Sequence, residues 1–500
     1  MNFPKTNVSL VFRSNGRSKS FQKRRIKGEF LYLRVTVWIL RTHTPEAPRM
    51  LLPPDPREWT RCTEGPCRCR PETRTLSCWR QGLEELPPTQ TVPADTKIID
   101  LGANHLTTLH RNSFRGLGHL TELDLFDNRI DYLPPNIFES LESVVHIRVH
   151  RNNLQELSEK IFLHQLNLAS LDLSSNSIRT IGPKLFHPLR RSLVFLSLVR
   201  NRIQEIPEDA LSGFEKLEEI DISWNSLSLL PILRGLPSLR RLRLHRNRLK
   251  ELPSGLLKEV PSLEVLTLRA NRLTRITPGL FEGLTKLRYL ELSSNWITSI
   301  DASEFADLVS LKELHLSQNF LESLPSNAFT PTSYSSLERL FLFSNNLEAL
   351  EPSALHGLYN LSTIMLNNNL LRSIGSSTFE STPNLRKLQL DSNKFHFLPQ
   401  RLLDPLTKLV SIKLAKNPWH CDCSILYLAT WLRENKRKVW DSPATCRGPG
   451  DLGGQRVEDM TFDDLCEGQW ASLVSLQPRV PVSSINALKH GIPDEEVKEN

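Results

Sequence analysis

From residue 96 to residue 417 the chain repeats one phrase, Leu-x-x-Leu-x-Leu-x-x-Asn, at intervals of 22 to 26 residues and most often 24. The asparagines stand at Asn104, Asn128, Asn152, Asn176, Asn201, Asn225, Asn247, Asn271, Asn295, Asn319, Asn345, Asn369, Asn393 and Asn417. A period of that length dictates a solenoid, because one turn cannot bury its apolar face alone and must stack on its neighbours. Within a turn, the spacing of Leu120, Leu123 and Leu125 requires one short strand with its apolar side chains inward. The asparagine then closes the strand, where its amide can satisfy backbone groups of neighbouring turns and form a ladder.

Ten residues after most of the asparagines comes a second apolar marker. It is phenylalanine at Phe114, Phe138, Phe162, Phe186, Phe281, Phe305, Phe329 and Phe379, and leucine at Leu211, Leu257, Leu355 and Leu403. These residues are predicted to stack as a spine beneath the convex side. The pattern is that of the leucine-rich repeat, and the fold it predicts is an α/β repeat solenoid, a curved horseshoe with a parallel sheet on its concave face. About fourteen strands spaced roughly 4.8 Å apart give that face an arc of about 65 Å.

A solenoid exposes leucine faces at both ends unless they are capped. All eight cysteines lie at or beyond the ends of the repeats, Cys62, Cys67, Cys69 and Cys78 before them and Cys421, Cys423, Cys446 and Cys466 after. Two even clusters read as disulfides formed in an oxidising compartment. Zinc is the competing reading, since Cys-x-Cys pairs can ligate it.

The sequence around both clusters resembles a family. Cys62-x4-Cys67-x-Cys69-x8-Cys78, followed by Gly82-Leu83 and Leu86-Pro87, resembles the N-terminal cap of extracellular leucine-rich-repeat proteins. Asn417-Pro418-Trp419-His420-Cys421-Asp422-Cys423, then Trp431-Leu432, Cys446 and Cys466, resembles their C-terminal cap. In layout the chain is similar to proteins of the Slit, Nogo receptor, chondroadherin and carboxypeptidase N regulatory subunit type. The resemblance implies pairing of Cys62 with Cys69, Cys67 with Cys78, Cys421 with Cys446 and Cys423 with Cys466; spacing alone permits other connectivities. The expected organisation is a basic leader and linker over 1–61, an N-terminal cap over 62–95, repeats over 96–417, a C-terminal cap over 418–466 and a polar tail over 467–500.

The formal charge of +8 invites nucleic acid, but residues 1–61 alone carry thirteen Lys/Arg against four Asp/Glu. From Cys62 onward the chain is near neutral, so its basic pI implies no nucleic-acid partner. The leader itself departs from a secretory signal: Arg34 interrupts the apolar run Phe30 to Leu40, and no small-residue cleavage site follows. Either it is a poor signal or anchor, or the start of the gene model is wrong. Residues 41–61, rich in proline, read as an unstructured linker. The tail has no apolar stretch long enough to span a membrane and no lipid-anchor signal.

Catalytic motifs are missing from the sequence: no HExxH, no GxSxG and no phosphate-cradling glycine loop occurs. No enzyme activity and no cofactor are expected. His146 and His150 share a strand with Arg148 and could flank a metal, although a solvated strand face is the simpler reading. Trp419 and Trp431 are expected in the core of the cap.

Function must then lie in surface, and the residues four and two before each asparagine form the concave stripe. Two places depart from a bland polar face. Arg240, Arg241, Arg243, His245 and Arg246 crowd one strand, with Arg269 on the next, and a sulfated glycan or acidic protein would relieve their repulsion. Screening by Glu218, Glu219 and Asp221 of the preceding strand is the alternative. Phe341, Phe343 and Met365 place apolar side chains on the concave side, where exposed aromatics mark interaction sites. Its alternative is that the Pro331 to Ser336 insertion folds over them. One sequon, Asn360-Leu361-Ser362, stands just before a strand where a glycan fits; Asn7-Val8-Ser9 lies in the leader.

The reading is an extracellular, disulfide-capped solenoid, secreted as a matrix or circulating adaptor, that binds an extracellular protein or sulfated glycan through its concave face. A receptor ectodomain and a non-catalytic regulatory subunit of a secreted enzyme are the alternatives.

Overall fold

The computed structural model describes residues 56–467 apart from 327–328 and 330–335. The leader up to residue 55, the sequon at Asn7, the tail from residue 468 and most of the Pro331 to Ser336 insertion lie outside the described residues. Each repeat contributes a three-residue strand, and these pair in parallel and in order from Ile98–Asp100 to Ser411–Lys413. At the N-terminal end the hairpin of Arg68–Arg70 and Thr75–Ser77 joins the same sheet, antiparallel within itself and parallel to Ile98–Asp100. The register never slips, so the middle residue of each strand lies beside its counterpart, Leu123 by Ile147 and Leu266 by Leu290. Those middle residues are buried, and their neighbours face the concave side.

The asparagines form the ladder that their position requires. Asn271 Nδ2 donates to the carbonyls of Leu244 and Leu268, at 3.0 and 2.9 Å, and its Oδ1 accepts from the Leu249 amide at 3.1 Å. The same set recurs along the stack, as at Asn128 and Asn393. The ladder holds a strained corner, because the residue before each of the fourteen asparagines has φ near +55° and none is glycine. A left-handed backbone costs an ordinary residue about 1–2 kcal/mol, a cost the buried hydrogen bonds offset.

Below the sheet, the phenylalanine rings stack at 6.5, 6.1 and 6.4 Å from Phe114 through Phe138 and Phe162 to Phe186, and again at 6.2 Å between Phe281 and Phe305. All are buried. The return segments of the repeats are turns, with short 3₁₀ helices at His187–Leu189 and Ala302–Phe305. Among the described residues α-helix is confined to the ends, at Pro56–Cys62 and Leu426–Glu434.

The first of these helices corrects the expected linker. Residues 56–61 are not an unstructured approach to the cap but part of it. Trp59 is buried, with its indole N–H donating to Asp95 Oδ1 at 3.0 Å, and Glu58 accepts from the Ala94 amide. Proline at the first helical position suits a helix start, which the proline-rich composition concealed. The caps carry four disulfides, Cys62–Cys69, Cys67–Cys78, Cys421–Cys446 and Cys423–Cys466, and no free cysteine remains among the described residues. At the C-terminal end Trp419 is fully buried and stacks on Phe395, and Trp431 is also buried. There the chain returns along the last strand: the Trp440 amide donates to Ile412, and Asp441 Oδ2 accepts from the amides of Leu414 and Ala415.

Candidate partner-binding face

A parallel register turns every fourth residue before an asparagine into one continuous row across the sheet. From Asp124 to Lys413 the row runs through Arg148, Asp172, Ser197, Asp221, Arg243, Thr267, Glu291, His315, Phe341, Met365 and Gln389. Its first half is charged apart from Ser197, and its arginines pair with aspartates of the same row. Arg148 donates to both oxygens of Asp124 at 2.8 and 3.1 Å. His150 stacks on Phe126 with ring centroids 5.1 Å apart and approaches Asp172 at 3.2 Å. Burial raises the Asp172 carboxyl, but the facing His150 and the hydrogen bond donated by the Ser174 amide outweigh it and hold the group below its ordinary value. Among the described residues no group of three or more histidine, cysteine and acidic side chains is placed to hold a metal.

The basic strand Arg241–Arg243 sits in the middle of the face. Arg240 lies 3.2 Å from Glu264 and 3.9 Å from Glu218, Arg241 donates to Glu219 at 2.5 Å, and Arg243 pairs with Glu219 and Asp221. Three of its arginines are therefore compensated by the strands on either side. Arg246 and Arg269 are exposed and pair with no carboxylate among the described residues. His245 lies between the two kinds: burial pushes its pKa down, Asp221 pulls it up, and Arg243, Arg246 and Arg269 push it down further.

The second half of the row is apolar and aromatic. Phe341 stacks on His315 with centroids 4.2 Å apart, His315 lies tilted against Tyr289 at 5.0 Å, and Met365 stands beside Phe341 in register. Both imidazole nitrogens of His315 face carboxylates, Nδ1 at 3.5 Å from Glu291 and Nε2 at 3.4 Å from Glu313. Glu313 is shared with Arg339, and Glu291 accepts from the Tyr289 hydroxyl at 3.0 Å. Burial, with the neighbouring Glu291, pushes the Tyr289 phenol well up. Phe341, Phe343 and Met365 are each half-buried, neither core nor fully exposed. The structure thus brings Phe341 and Met365 together and adds two residues, Tyr289 and His315, that sequence reasoning had not singled out. Asn360 is exposed just ahead of the strand Thr363–Met365.

Comparison with known proteins agrees with this architecture. The family model described as Leucine rich repeat matches residues 94–154, 142–192, 191–249, 237–297, 261–321, 289–333, 335–395 and 359–418. Human SLIT and NTRK-like protein 5 is 32% identical over 105 residues, covering 21% of this chain and 11% of that protein. Mouse chondroadherin is 31% identical over 123 residues, 25% of this chain and 26% of that one. The matched segments thus span well under half the length of either relative. Among solved structures, that of the Toll–Spatzle complex of Drosophila superposes with a TM-score of 0.63 at 25% identity, covering 77% of this chain and 57% of that one.

Proposed function

The chain belongs to the leucine-rich-repeat family, and from that premise we propose that it is a non-catalytic extracellular protein that binds a protein partner on its concave face. The observation that carries the reading is the aromatic strip of Tyr289, His315, Phe341 and Met365. It is half-buried, with Phe341 stacked on His315 and His315 tilted against Tyr289, and it is set beside the carboxylates Glu291 and Glu313. Partly buried aromatics ringed by polar groups are the usual composition of an interface core. The four disulfides support an oxidising, extracellular setting. The relatives named above agree with an extracellular or cell-surface protein, and the superposed Toll structure is itself a complex with Spatzle. Within that setting we favour a secreted protein; recovery of the mature chain from membranes instead of medium would assign it to a receptor ectodomain.

The test replaces Phe341 and Phe343 with alanine in the full chain and measures capture of partners from extracellular fluid. Truncating a central interface aromatic costs about 2 kcal/mol or more, so affinity should fall roughly thirtyfold. Because neither ring belongs to the buried core, the melting temperature should stay close to that of the wild type. Undiminished capture by the double variant would remove the strip from the functional map. No helix among the described residues is long and apolar enough to cross a membrane.

A further inference from the structure

The strained corner before each asparagine has a consequence at the surface. Side chains at this corner meet their counterparts on the next turn, as Arg200 and Arg246 meet Trp224, and those after the asparagine do likewise, as Arg272 meets Trp296, so that the two positions form a rim along the solenoid. In five successive turns this rim is basic and aromatic. Arg200 and Arg202, Arg246 and Arg248, and Arg272 are all exposed. Between the first two pairs stands Trp224, 38% exposed, with the Arg200 guanidinium 4.8 Å and the Arg246 guanidinium 4.0 Å from its ring centroid. Further along, Arg272 lies 5.9 Å from the centroid of Trp296. From two residues before to three after each asparagine, over 199–204, 223–228, 245–250, 269–274 and 293–298, there is no aspartate or glutamate.

The neighbouring strand shows that this lack of compensation is particular to the rim. Arg240, Arg241 and Arg243 each have a carboxylate from an adjacent turn, whereas none of the five rim arginines pairs with one among the described residues. Trp224 bridges two guanidiniums from turns two apart, 4.8 and 4.0 Å from its ring centroid, and fixes them by cation–π contact before any ligand arrives. Holding like charges in an ordered row costs free energy that an external polyanion would recover.

We infer that this rim binds a linear sulfated polysaccharide. The cations lie along one edge over four turns, about 14 Å, which suits an extended chain with repeating charge better than the broad patch of a folded protein. All five are arginines, whose planar fork meets tetrahedral oxyanions with two hydrogen bonds. On the extracellular reading proposed above, which the disulfide caps support, the rim lies where sulfated glycans occur. The site is separate from the aromatic strip on the concave face, so each surface can be tested without the other.

The full chain is labelled with phenylglyoxal in the presence and absence of a size-defined, heparin-derived hexasaccharide, and modification is read at each arginine by mass spectrometry. Reading by residue separates the rim from the basic residues 1–61. Protection is expected at Arg200, Arg246, Arg248 and Arg272 and not at Arg241, and it should disappear with the desulfated hexasaccharide. Replacing Arg200 and Arg246 with glycine, which suits their positive φ, should preserve the fold and weaken binding at the rim by about tenfold or more. Unchanged labelling of the wild-type rim would overturn the inference whatever the variant does. Equal protection by polyglutamate at matched charge would also overturn it and assign the rim to an acidic protein.

Discussion

Replacing Cys421 and Cys446 with serine is expected to destabilise the solenoid by about 3–4 kcal/mol, the loop-closure value for a bridge of this span. The two C-terminal bridges close intervals of 25 and 43 residues, against 7 and 11 at the N-terminal end, so the larger entropic contribution lies at the C-terminus. More than chain entropy is at stake. The cap returns Trp440 and Asp441 along the last strand, and its loss would free the amides of Leu414 and Ala415 and uncover the faces of Trp419 and Leu414. Because turns stack only on neighbours, damage should spread inward from that end. Hydrogen exchange of the variant should therefore show residues 385–417 opening first while 120–250 remain protected. Uniform loss of protection along the stack would refute this account of the caps.

That the caps could be anticipated from sequence, while the edge of the sheet could not, follows from what each feature demands of residue type. A turn that must bury Leu120, Leu123 and Leu125 and bond through Asn128 has few alternatives, so the repeat is visible in the letters. The concave positions follow from the same period, which is how Phe341 and Met365 could be located. The left-handed corner, by contrast, is occupied by Arg200, Trp224, Arg246, Ser294, Gln318 and Lys416 among others, with no glycine to announce it. Its conformation is imposed by the ladder and leaves no trace in composition. The contacts of Trp224 with Arg200 and Arg246 span 24 and 22 residues and depend on that hidden geometry. The helix Pro56–Cys62 was concealed for the opposite reason: its flanking prolines suggested a linker, and only the burial of Trp59 against Asp95 shows it to be part of the cap.

Replacing Asn271 with alanine should cost about 3–5 kcal/mol, as large as losing a packed core side chain, although only an amide is removed. The ladder decides how the loss is distributed. The carbonyls of Leu244 and Leu268 keep bonds from Asn247 and Asn295, whereas the Leu249 amide loses the Asn271 Oδ1 that accepts its proton. One buried donor left unsatisfied costs about 1–3 kcal/mol, and two lost hydrogen bonds add about 1 kcal/mol each. The corner at Ala270, with φ of +55°, also loses its support. Aspartate at the same position distinguishes donor from acceptor. It would still accept from Leu249 but would set a carboxylate against the Leu244 and Leu268 carbonyls, which raises its pKa in the folded state. A group raised on folding stabilises below its unfolded pKa and loses that contribution as pH rises through the folded value, so N271D should recover stability as the pH is lowered. Denaturant unfolding of wild type, N271A and N271D at two pH values measures both effects. An alanine variant within about 0.5 kcal/mol of wild type, the range of a neutral surface change, would show that the stacked strands hold together without the ladder.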